Sequence, residues 1–190
     1  MPNHVTNRIE FYGEQENINK VLSIIKGEDE CIDFEKIMPM PSNIYRGDLG
    51  PDERAKYGKD NWYDWCRYHW GTKWNAYSSS LDMDNNEILF DTAWTCPLGV
   101  LDKLAEMCYK HDVWFTGEWA DEDAGNNVGV FESDCDSDEY WFSYEYIESG
   151  SDEAYEIYAK VKGESNCFGK DKDGNWVHYD CDNCPNADIC

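Results

Sequence analysis

Three groups of residues in this chain have the types and spacing to do chemistry. The first is His178-x2-Cys181-x2-Cys184-x5-Cys190. A C-x2-C knuckle suits a tetrahedral zinc ion, and His178 or Cys167 would complete the ligand set, so structural zinc is the expected metal. The second is the block Trp70-Gly71-Thr72-Lys73-Trp74-Asn75-Ala76. Trp70 and Trp74 offer ring faces, Lys73 a point charge and Asn75 an amide, which together suit a small ligand held by stacking and a charged hydrogen bond. The bland reading of the same block places both tryptophans in the core and lays the Lys73 stem across an indole. The third is Asp134-Cys135-Asp136-Ser137-Asp138, which with Glu145 approximates a calcium loop. Glu139 stands where such a loop needs glycine for its sharp turn. Nucleophilic catalysis finds little support. The four histidines are His4, His69, His111 and His178, and no G-x-S-x-G, P-loop or dinucleotide glycine pattern occurs.

Charge is the stronger signal. The chain holds 40 acidic and 16 basic residues, a net charge of −24. Between Lys110 and Lys160 there is no lysine or arginine, while carboxylates recur from Asp112 to Glu156. Long acidic runs are usually disordered and poor in aromatic residues. This one is interleaved with Trp114, Trp119, Phe131, Trp141, Phe142, Tyr144 and Tyr146, so it reads as a folded surface that holds negative charge in place. Such a balance argues against nucleic acid or an anionic membrane as a direct partner, because both need clustered Lys and Arg. No apolar run reaches the roughly 20 residues of a membrane helix, and no signal peptide is visible at the N-terminus. A cytosolic protein is expected, with its nine cysteines reduced or metal-bound.

The elements that must position these residues follow from periodicity. Val5–Tyr12 alternates as a strand, and Gln15–Lys26 carries the helical stripe Ile18, Val21, Leu22, Ile25. Cys31–Ile37 reads as a second strand and Glu87–Trp94 as a third. Pro97 opens a helix with the stripe Val100, Leu101, Leu104, Cys108. Val113–Trp119 is a fourth strand. Between the second and third strands, residues 42–80 form an insertion. It begins as a loop to residue 61 and continues as an aromatic helix from Trp62. Beyond the fourth strand come a strand at Tyr140–Tyr146, a helix N-capped by Ser151, and a hairpin turning at Asp173-Gly174. The order strand–helix–strand, strand–helix–strand gives an α+β, ferredoxin-like βαββαβ antiparallel sheet. The expected division is a domain at 1–132, with its Trp-rich helical insertion, and a C-terminal extension at 133–190.

Five landmarks carry a resemblance: Asn3-His4-Val5-Thr6-Asn7; Phe34-Glu35-Lys36-Ile37-Met38-Pro39-Met40-Pro41; Trp70–Ala76; Phe90-Asp91-Thr92-Ala93-Trp94 with Pro97; and Glu118-Trp119-Ala120-Asp121-Glu122 leading to Gly129. Over about residues 1–132 the series resembles the YubB ferredoxin-like family carried by bacterial plasmids and bacteriophages. The resemblance implies a mobile-element protein in a bacterial cytosol and transfers no catalytic residue. Charge and context together lead to the expectation of a non-enzymatic interaction protein. Its acidic surface, centred on Glu132, Asp134, Asp136, Asp138, Glu139, Glu145, Glu148, Asp152 and Glu153, would mimic nucleic acid and dock on a basic host protein such as a nuclease or CRISPR effector. The rival expectation is a small-ligand or nucleotide-binding protein, or an enzyme, built on Trp70, Lys73, Trp74 and Asn75.

Overall fold

In β1 (His4–Gly13), side chains alternate without interruption between a buried and a half-buried face. Val5, Asn7, Ile9 and Phe11 point one way, and Thr6, Arg8, Glu10 and Tyr12 the other, so this strand divides the molecule into an apolar and a polar side. The computed structural model describes residues 3–135, 139–163 and 168–179. After β1 come α1 (Gln15–Ile25), a single turn α2 (Phe34–Ile37), α3 (Pro51–Tyr57) and α4 (Trp62–His69). Then follow β2 (Tyr77–Asp82), β3 (Glu87–Ala93), α5 (Leu98–Tyr109), β4 (Val113–Asp121), β5 (Gly129–Asp134), β6 (Trp141–Tyr146) and α6 (Asp152–Val161). A small hairpin, β7 (Phe168–Lys170) and β8 (Trp176–His178), closes the described chain.

The six-stranded sheet runs β2-β3-β1-β4-β5-β6, and every neighbouring pair is antiparallel. Its first four strands have the ferredoxin-like order, with β1 and β3 in the middle. The second strand is Tyr77–Asp82, not Cys31–Ile37. Asp33 accepts a hydrogen bond from the Glu35 amide (2.9 Å) and starts the helical turn α2 instead, with Phe34 and Ile37 in the core. The helical insertion therefore lies between α1 and the second strand, ahead of the place expected for it. Residues 51–57, expected as loop, form α3, with Pro51 in its first turn. The boundary expected at 132 falls inside β5, so the sheet runs through it unbroken.

Helices α1 and α5 bury their apolar stripes in a core with Ile9, Phe11, Phe90, Phe115, Trp119 and Phe131. Helix α6 covers part of the opposite face, where Ala154, Ile157, Tyr158 and Val161 meet Ala120, Val128 and Val130 in a second, smaller cluster. Ser151 caps α6 by accepting from the Ala154 amide (3.1 Å). Among the described residues no helix is long and apolar enough to cross a membrane.

Candidate functional site

The half-buried face of β1 continues across the sheet as a polar floor. Its register sets Arg8 beside Glu118, Glu118 beside Val130, and Val130 beside Glu145; the next row runs Glu87, Glu10, Thr116, Glu132, Ser143. Helix α6 walls one side, and Lys160 reaches down to Glu118 (2.7 Å). A cavity of about 440 Å³ opens between them, lined by Arg8, Glu10, Tyr12, Glu118, Glu132, Glu145 and Lys160 among others.

The charges in this groove fall into two classes. Arg8 pairs with Glu87, with Glu10 (3.3 Å) and with Glu118 (3.6 Å). Burial pulls the Arg8 guanidinium down, but the Glu87 hydrogen bond and the charges of Glu87, Glu118 and Glu10 outweigh it, so the net shift is upward. With Lys160, Arg8 offsets two of the three carboxylates Glu10, Glu87 and Glu118. Glu132 and Glu145, nearer the edge, are exposed and make no ion pair or side-chain hydrogen bond among the described residues. The groove is thus largely offset at its centre and uncompensated toward β6.

The other expected partner-binding residues are distributed unevenly. Asp134 is exposed at the end of β5, and Glu139, Glu148 and Glu153 are exposed nearby in sequence. Asp152 is committed elsewhere: it accepts from Lys170 (2.6 Å) and from the Trp176 indole (2.9 Å), tying the β7–β8 hairpin to α6. The Lys170 and Trp176 hydrogen bonds hold its carboxyl below the usual range. Asp136 and Asp138 lie outside the described residues. Glu145 is a regular member of β6, opposite Val130.

Along β6 the sequence alternates between the two faces. Phe142, Tyr144 and Tyr146 share the core face with Phe131 and extend its aromatic lattice outward. Ring centroids lie 6.5 Å apart for Phe131–Phe142, 5.2 Å for Trp119–Tyr146 and 6.0 Å for Tyr144–Tyr146. The lattice then stops in solvent: Tyr144 is 51% and Tyr146 57% exposed. Trp141, Ser143 and Glu145 share the polar face. Aromatic rows at an open edge flanked by carboxylates were visible in the sequence as residue types, but only the register shows them as a truncated core.

The Trp70–Ala76 block has a different character. Trp70 is buried, packs edge-on against Phe34 and Trp65, and donates its indole N–H to the Met38 carbonyl (2.9 Å). Thr72 exchanges hydrogen bonds with both backbone groups of Ala93 (2.9 and 3.1 Å). The Asn75 carbonyl oxygen accepts from the Phe34 and Ala76 amides, and its amide donates to Asp33 (2.7 Å). The Lys73 ammonium lies 4.3 Å from the Trp74 ring centroid and 5.0 Å from that of Trp94. The block stitches the insertion to β3. The other resemblance landmarks converge on the same end of the sheet, where buried Asp121 accepts from Asn3 (3.2 Å) and Asn127 (2.9 Å), and His4 meets the Tyr77 hydroxyl (2.7 Å).

Of the expected zinc ligands, His178 is described and ends β8; Cys167, Cys181, Cys184 and Cys190 lie outside the described residues. Among the described residues no group of three or more His, Cys, Asp or Glu could hold a metal. Cys66, Cys96 and Cys108 are buried, and burial pushes the Cys66 thiol up to about 12 and the other two upward as well, which suits packing and not nucleophilic attack.

Sheet order and helix placement define a ferredoxin-like α+β domain. Residues 73–161 match the family described as ferredoxin-like domain in Api92-like protein. The match starts within the Trp-rich block, crosses residue 132 and ends with α6. No curated protein and no solved structure matches the chain.

Proposed function

We propose that the chain is a non-enzymatic interaction protein whose acidic sheet edge docks on a basic partner protein. The observation that carries this reading is an edge strand exposed on both faces: the uncompensated Glu132 and Glu145 share one face with exposed Trp141, and exposed Tyr144 and Tyr146 occupy the other. Tyrosine and tryptophan are the residues most often found to anchor interfaces. Fixed carboxylates around them would steer a cationic partner and set its register. The resemblance to plasmid- and phage-borne YubB-like proteins supports a host protein as that partner. One that normally binds phosphates, such as a nuclease or CRISPR effector, offers the matching basic groove, and mimicry of nucleic acid would serve counter-defence.

The test is a pull-down from a bacterial host at low and high salt, with wild type and Glu132→Lys/Glu145→Lys in parallel. A specific partner should be lost in the variant and at high salt, with affinity falling about tenfold or more for the double reversal. A partner retained equally by the variant would refute the reading. The rival, a ligand site on Lys73, draws support from the position of that ammonium between two indoles, free of any carboxylate within ion-pair distance among the described residues.

A further inference from the structure

The two edges of the six-stranded sheet end differently. At β2 the register slips between Tyr77 and Ser80, and Ser78 adopts a left-handed φ of 52°. The loop after α1 covers that edge: the Ser79 amide donates to Glu30 (2.7 Å), and the Ser79 hydroxyl accepts from the Cys31 amide (2.5 Å). A bulge and a cover are the usual ways of blunting an edge strand. β6 has neither. Its six residues pair with β5 in one unbroken register, Asp134 opposite Trp141 through Gly129 opposite Tyr146.

The register also fixes which backbone groups are free. The Ile147 amide donates to the Val128 carbonyl (3.0 Å), which makes that pair a hydrogen-bonded one. Hydrogen-bonded and non-bonded pairs alternate along an antiparallel ladder. Trp141, Ser143 and Glu145 therefore bond inward to β5. The N–H and C=O groups of Phe142, Tyr144 and Tyr146 point outward, and among the described residues no backbone group takes them.

We infer that β6 receives an extended basic segment of a partner protein as a seventh strand. The inference rests on the reading above and specifies its geometry. A strand laid along β6 would place alternate side chains on the two faces of the sheet. On the core face they would lie beside Phe142, Tyr144 and Tyr146 and should be apolar. On the polar face they would lie beside Ser143 and Glu145, with Glu132 one strand further in, and should be lysine or arginine. Charge selects this occupant over a second copy of the chain, whose own β6 would bring Glu145 against the same carboxylates.

The test uses a short peptide alternating lysine and valine, and an isomer of the same composition with its lysines gathered in one half. Wild type should bind the alternating peptide about tenfold or more tightly than the isomer, because only alternation matches the two faces. Tyr144→Pro removes an outward amide without breaking the β5 ladder and should abolish that preference, while Tyr144→Ala, which keeps the amide, should retain it. Should the proline variant not fold, peptides N-methylated on the lysines or on the valines do the same work on wild type, since one of the two sets must lose binding. If wild type binds both isomers equally and Tyr144→Pro binds as well as wild type, strand addition is overturned and the acidic-docking reading stands. If neither peptide binds at low salt, the acidic-docking reading falls with it. A dimer formed without peptide and broken by Tyr144→Pro would make the occupant a second copy and overturn the basic segment.

Discussion

The Trp70–Ala76 block and the β6 edge are both dense in rings and charge, yet they use them in opposite ways. In the block, the polar groups of Trp70, Thr72 and Asn75 are spent on the backbone of neighbouring elements and on the Asp33 carboxylate, and the Lys73 charge is folded onto two indoles. At β6, two carboxylates and two tyrosine rings face solvent, with outward backbone groups beside them. Residue type therefore says little about a site. What matters is the bonding capacity left over after folding has taken its share.

The comparison breaks first at Trp70. If the block is structural, Trp70→Ala removes a buried ring and orphans the Met38 carbonyl, and should cost about 3–5 kcal/mol in chemical denaturation. A folded variant of unchanged stability would return the block to the ligand-binding reading. Lys73→Ala comes next. Loss of two partly exposed cation–π contacts should cost about 1 kcal/mol and leave the circular dichroism spectrum unchanged. Loss of a bound small molecule with no change in stability would favour the rival.

The smallest effect sharpens the acidic side. Asp152 is paired with Lys170 and Trp176, so its folded carboxyl titrates below its unfolded one. Its contribution is complete above the unfolded value, about pH 4, and is lost as pH falls through the lower folded value. Trp176 fluorescence should report loosening of the β7–β8 hairpin only in that acidic window, and Asp152→Asn should remove the transition.

Much of this fold was legible in the sequence wherever one periodicity dominated. Strict alternation marked β1, and clean stripes marked α1, α5 and α6. β2 escaped because Tyr-Ser-Ser-Ser-Leu-Asp has little apolar alternation; it is an edge strand with a bulge, held by the Glu30 carboxylate and the Cys31 amide of the loop that covers it. Cys31–Ile37 misled because Ile32 and Phe34 are both core residues, but Asp33 caps a helical turn between them, and local capping outweighs a two-residue alternation. β5 was hidden by its acids: Glu132 and Asp134 look like a solvated loop until Phe131 and Ser133 are seen facing the core. For the site, the sequence showed where negative charge accumulates. It did not show that Arg8 and Lys160 offset most of the charge in the middle of the groove, or that Asp152 is consumed by the hairpin, because both depend on residues more than 15 positions apart.

The position of β1 carries a consequence for how the molecule comes together. This strand precedes both of its partners in the chain, hydrogen-bonding on one side to residues 87–93 and on the other to 113–121. Without it the sheet separates into a two-stranded piece, β2-β3, and a three-stranded piece, β4-β5-β6. β1 leaves the ribosome well before either partner, so a strand with one apolar face and two open edges has to wait for both. Closing loops of that length late slows folding and leaves its sticky edges unpaired in the meantime. The ten residues of β1 are thus both the keystone of the finished sheet and the hazard of the unfinished one.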